Sequence, residues 1–347
     1  MKQWMAWIGL GAVGGLGAAA MLAGCKSDEP ETTTTAGNCS PSDPACPALK
    51  VTSDCLGLVD NAGKDDFALR MAQLTIVKPA ALVTETVSGI VSKGVNINLP
   101  ACRVSGDGTF SWLFHFHRTN KTLRTGGAKP ALDPAAGYCF DSDPKNGVAP
   151  VTVPIELGTD GTFETGPLAR VIVGIYIDQT ATSAVYLPLR QVRFTAGKVS
   201  ADQNCIGRFN ADGLTLENNC KPDPAAGVDY FIDGASLDGY ILLDEADTVL
   251  VPQLGNASLC TLLTTDASSQ VEKGKCKRDA GGKILLEGDW CSTSNKPLDC
   301  KDSFRLEGKI AASAVTIPAT CPNVPDAMTV GAGGAGGAGG GTAGAGG

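Results

Sequence analysis

The chain has 347 residues, a formal net charge of -8 and no local concentration of Lys and Arg, so it lacks the basic footprint that nucleic-acid phosphates require. Only 18% of residues are charged and 5% aromatic, while 44 glycines and 20 prolines are scattered between short apolar runs. That composition predicts many turns and short strands, and the length suffices for one large β domain or two ordinary ones.

At the N-terminus, Lys2, an apolar run from Trp4 to Ala20 and small residues before Cys25 follow the charged, apolar, small-residue order of a secretory signal. A spanning helix is the competing reading, since the run approaches the roughly 20 residues that cross a bilayer. Glycines at 9, 11, 14, 15, 17 and 24 suit such a helix poorly. The stretch Leu22-Ala23-Gly24-Cys25 resembles the lipobox of bacterial lipoproteins. That resemblance implies removal of residues 1–24, acylation of Cys25 through a thioether and an amide, and the lipid bilayer as a partner. Lys26 stands where an Asp is read as a signal for inner-membrane retention, so the resemblance favours the outer membrane.

The next segment, residues 25–50, is rich in Thr and Pro with little to bury, and reads as a disordered tether. Thirteen cysteines less Cys25 leave twelve, an even number in an exported chain and hence the arithmetic of six disulfides. No C-x-x-C occurs, which disfavours thiolate zinc sites. Sequence does not fix the connectivity. Pairing of near neighbours joins Cys39 to Cys46, Cys102 to Cys139, Cys205 to Cys220, Cys260 to Cys276 and Cys291 to Cys300, and leaves Cys55 and Cys321 to clasp the ends.

The folded region is expected over residues 51–322. Its first strong run is Phe67 to Val77, where Phe67, Leu69 and Met71 share one parity and Leu74 and Ile76 the other, as in a bulged strand. After Pro79, the positions Leu82, Val83, Val87, Ile90 and Val91 recur at helical spacing up to Gly94, which predicts one short helix near 80–93 with that glycine as its cap. Thr109 to His117 is the clearest strand: Phe110, Trp112, Phe114 and Phe116 share a core face, and Ser111, Leu113, His115 and His117 the other. Further strands are expected at 151–157, 169–177, 184–189, 191–195, 237–243 and 303–317. Two Asp-Pro-Ala-Ala-Gly stretches, starting at Asp133 and Asp223, read as similar turns. Cysteines become dense near residue 200, the best alternative domain boundary. Residues 323–347, mostly Gly and Ala, read as a disordered tail. The expected fold class is all-β or β-dominated: an antiparallel, disulfide-stapled sandwich with one short helix.

Motifs for chemistry are few. Ile241 to Asp247 looks like the Walker B sequence of helicases, but no phosphate-binding G-x-x-x-x-G-K-[ST] accompanies it, so it reads as a strand running into an acidic turn. Asp141 to Gly147 has the alternating carboxylates of a calcium loop without its sixth-position glycine or terminal Glu, and reads as a turn. There is no G-x-S-x-G elbow. His115 and His117, the only histidines, project from one strand face and can share a divalent metal if a carboxylate joins them. The sequence identifies no such carboxylate, no catalytic residue and no cofactor. It favours a non-catalytic envelope lipoprotein with a structural or binding role. The alternatives are a carrier of an apolar ligand, with a cavity lined by the Phe110–Phe116 face, and a metal-dependent extracytoplasmic hydrolase.

Overall fold

Eight antiparallel strands carry the fold in a computed structural model that describes residues 39, 45–52, 54–252, 255–264, 266–297 and 299–327. The expected leader with Cys25, most of the expected 25–50 tether and the part of the expected tail from 328 onward lie outside the described residues. The strands are β1 (Asp66–Lys78), β2 (Ser111–His117), β3 (Thr122–Ala128), β4 (Val151–Pro154), β5 (Leu168–Tyr176), β6 (Ala184–Thr195), β7 (Ala235–Leu242) and β8 (Ser303–Val315). They pair in the order β4-β3-β2-β1-β8-β7-β6-β5. Sequence neighbours are therefore sheet neighbours except for β4 and β5, which form the two edges, and β8 returns to pair with β1. The sheet curls until β5 lies against β3, giving a nearly closed barrel whose halves pack face to face. Strands from either side of residue 200 share this one sheet.

The parity switch in β1 is a bulge, with register shifting between Met71 and Gln73. Phe67, Leu69 and Met71 before it, and Leu74 and Ile76 after it, all join the interior. Trp112, Phe114 and Phe116 of β2 pack there too. Phe194 meets Trp112 and Phe114 edge to face, at centroid distances of 5.6 and 4.9 Å, and Phe116 stacks on Phe67 at 4.9 Å. Such pairs add about 0.5–1.5 kcal/mol each beyond the area they bury. The aromatic face that a carrier would line with a cavity is filled with its own rings.

The opposite face of β1, β2 and β8 is also covered. Ala68, Leu113, Ala311 and Val315 lie under a second apolar layer built from loop residues such as Leu56, Ile97, Tyr138 and Phe231. Four disulfides fasten these loops: Cys39–Cys220, Cys46–Cys102, Cys55–Cys205 and Cys139–Cys321. The expected bridges Cys39–Cys46, Cys102–Cys139, Cys205–Cys220 and Cys55–Cys321 are thus replaced by others. The reason is spatial: loops distant in sequence converge on one outer face, so partners lie 56 to 182 residues apart. Cys39 and Cys46 consequently tie their segment to the body instead of closing a loop within it. Cys260–Cys276 and Cys291–Cys300 form as expected, within the segment joining β7 to β8.

The helix α1 (Glu85–Val95) starts at Thr84, whose hydroxyl accepts from Val87 N. Gly94 is not its cap, because the helix runs on to Val95. Gly94 instead lets the helix approach β2: a Cβ there would sit 3.3 Å from Thr109 Oγ1, and Gly94 O accepts from Phe110 N at 2.9 Å. Only Leu82 of the expected apolar stripe is buried, while Val83 and Ile90 are exposed.

Strand β3, Thr-Leu-Arg-Thr-Gly-Gly-Ala, has no apolar alternation and was not expected. Its glycines make the barrel close. A side chain at Gly126 would meet Pro150 Cα at 2.9 Å, and one at Gly127 would meet Val173 of β5 at 3.3 Å. Beside this seam Asp141 N, in the segment after β3, donates to Gly127 O (2.8 Å), and Tyr176 N of β5 donates to Thr109 O (3.1 Å). The expected break between 184–189 and 191–195 lies inside the continuous strand β6, at Gln191 with φ 50°, where the register against β7 shifts between Asp238 and Tyr240. The two Asp-Pro-Ala-Ala-Gly stretches form matching turns, with Asp133 and Asp223 each accepting from the N–H two residues on at 3.0 Å. Beyond 322 the chain stays on the barrel: Ala327 N donates to Pro150 O (2.8 Å) and Asp326 pairs with Arg124 (2.9 Å).

Candidate metal centre

Because β1 and β2 are antiparallel, their register places Asp66 opposite His117 and Ala68 opposite His115. On a pleated ladder, residues two apart share a face, so Asp66, His115 and His117 converge at the end of the pair. Asp66 Oδ1 contacts His115 Nε2 and lies 3.2 Å from His117 Nδ1. The imidazole centroids are 4.1 Å apart. One ligand atom from each residue can be chosen so that all three lie within 4.8 Å of one another. Asp66 is the carboxylate that the sequence left unidentified. Nothing in its local sequence marks it, and only the β1–β2 register brings it to the histidines.

The site is partly sheltered, with side-chain exposure of 19% for His115, 26% for His117 and 59% for Asp66. Burial holds His115 below the usual imidazole range, against the pull of Asp66, and His117 and Arg124 act in the same direction as burial. A neutral imidazole is the form that ligates metals. Arg124, opposite His115 on β3, turns its guanidinium to Asp326, the carbonyl of Val324 and the face of Phe140. His117 also borders a cleft of about 660 Å³, together with Asp65, Thr119, Glu156 and Thr159.

Other groupings resolve into structure. Asp247 lies near Cys260 and Cys276, and Asp302 near Cys291 and Cys300, but these cysteines are bridged and offer no thiolate. In the acidic turn after β7, each carboxylate has an arginine: Asp244 and Asp247 share Arg278, and Glu245 takes Arg190 and Arg170. Asp141 and Asp143 accept from the phenols of Tyr176 and Tyr186. Burial and the Asp143 contact push the Tyr186 phenol up to about 12, and burial with Asp141 raises Tyr176 as well. A second cleft, of about 330 Å³, lies beside Tyr186, Arg170 and Glu245. Among the described residues no helix is long and apolar enough to cross a membrane.

No protein-family model matches the chain, nor does any curated protein sequence or solved structure.

Proposed function

We propose that the chain is an exported lipoprotein, anchored through acylated Cys25, whose disulfide-stapled barrel serves the cell envelope in a structural or binding role and not as a catalyst. One observation carries this reading. Six bridges occupy twelve of the thirteen cysteines, and the cysteine left over is the one in Leu22-Ala23-Gly24-Cys25. Bridges of this number, most of them between distant segments, belong to a compartment where thiols are oxidised. More than one acyl chain on Cys25 would hold such a barrel firmly, since each buried methylene adds about 0.8 kcal/mol. The packed ring cluster around Phe114 counts against the carrier alternative. The hydrolase alternative draws support from Asp66, which completes the three ligands common at catalytic zinc sites.

The test is expression of the full chain in a bacterium with lipoprotein processing. Cys25→Ser should leave an uncleaved, unacylated precursor, whereas the parent partitions with membranes as a shortened species. Equal processing of both chains would defeat the proposal.

A further inference from the structure

We infer that Asp66, His115 and His117 form a binding site for a divalent transition-metal ion. The placement is fixed by backbone: all three residues sit on two adjacent strands in one ladder, so assembling the site costs little beyond choice of rotamers. Zinc bonded at about 2.0–2.2 Å in tetrahedral geometry holds its ligand atoms roughly 3.5 Å apart. Asp66 Oδ1 and His117 Nδ1, at 3.2 Å, already stand near that spacing, and Asp66, more than half exposed, has room to move off His115.

The donor set decides the class of ion. Magnesium and calcium take oxygen ligands, whereas two imidazoles with one carboxylate suit zinc, copper, nickel or iron. Three protein ligands leave at least one coordination position, and the cleft bordered by His117 offers water or a small anion a route to it. The plain alternative is a hydrogen-bonded pair of histidines sharing one carboxylate. The inference is independent of the anchor, since every ligand lies on the barrel. Zinc binding can fail while lipidation stands, and the reverse.

The experiment uses the chain expressed with its leader and purified, without a polyhistidine tag and with bridges intact, from whichever fraction holds it, in detergent if that is the membrane. Zinc chloride is titrated by calorimetry and by thermal melting, with magnesium chloride as the oxygen-preferring control. The expected result is one zinc per chain, a melting temperature raised by about 5 °C at a hundredfold excess over the dissociation constant, and no response to magnesium. His115→Ala and His117→Ala should abolish the rise, and Asp66→Asn should weaken binding at least tenfold. As the chain has only two histidines, the imidazole resonances of the unmutated protein give a readout that needs no variant, and both should shift with zinc. Unmoved resonances, undiminished affinity in Asp66→Asn, or equal binding of magnesium would each overturn the inference.

Discussion

The Arg70 guanidinium lies 5.2 Å from the centre of the Tyr138 ring, wholly buried, and its hydrogen bonds go to Ser111 Oγ and the carbonyls of Met71, Val95 and Phe110. Three carbonyls, a hydroxyl and a ring face thus surround a buried cation, and Val95 O is the last carbonyl of α1, where a helix presents partial negative charge. Burial draws the Arg70 pKa down, yet the dense carbonyl shell keeps the cation satisfied. Arg70→Ala should destabilise by about 3–5 kcal/mol, because it orphans several buried acceptors at once. Arg70→Lys should recover only part of that, lacking the planar fork. Urea unfolding of both variants checks this; a loss below 1 kcal/mol for the alanine variant would contradict it.

Phe114 is fully buried against Phe194, at 4.9 Å and nearly perpendicular. Phe114→Ala should cost about 3–5 kcal/mol from lost burial and the cavity left behind. Leu132→Ala, at a side chain 78% exposed, should stay within about 0.5 kcal/mol. Similar losses for the two would show that the aromatic face does not pack as the core.

Strand β2 was legible because its rings alternate without interruption from Phe110 to Phe116, and the bulge in β1 because the apolar parity changes after Met71. Strand β3 was not, since the closure that fixes it asks for Gly126 and Gly127, residues that read as loop. Asp66 escaped notice for another reason: a carboxylate becomes a ligand here through the register of two strands more than thirty residues apart, and register is a tertiary property. Bridge connectivity failed similarly. Local pairs such as Cys260–Cys276 follow from chain proximity, but Cys139–Cys321 follows from where two loops cover the sheet.

The bridges differ in the loops they close. Cys139–Cys321 spans 182 residues and Cys291–Cys300 only 9. On the chain-entropy account the longer loop removes more freedom from the unfolded state, by about 2.5 kcal/mol. Replacing both cysteines of the long bridge by alanine should therefore destabilise by more than the same change at the short one. The reverse order in urea unfolding would count against these pairings.

Asp247 supplies a pH signature. Its carboxylate accepts from Ser258 Oγ, Cys276 N and Arg278, each at 2.9 Å. Burial pushes this carboxyl up, but those donors outweigh it and hold it below the usual carboxylate range. A carboxyl depressed on folding contributes fully above its unfolded value, about 3.9, and loses that contribution as pH falls through its folded value. Asp247→Asn should thus be less stable than the parent at pH 7, by about 1.5–3 kcal/mol, and the gap should narrow below pH 4. A gap independent of pH would assign the loss to packing.

Mass mapping of the unreduced chain, purified from membranes of a processing-competent bacterium, tests the anchored and stapled barrel most directly. The expected result is a mature N-terminus at Cys25 carrying acyl groups, with peptides linked as Cys39–Cys220, Cys46–Cys102, Cys55–Cys205, Cys139–Cys321, Cys260–Cys276 and Cys291–Cys300. An N-terminus at any other residue, or Cys25 found in a disulfide with one of the twelve, would contradict it.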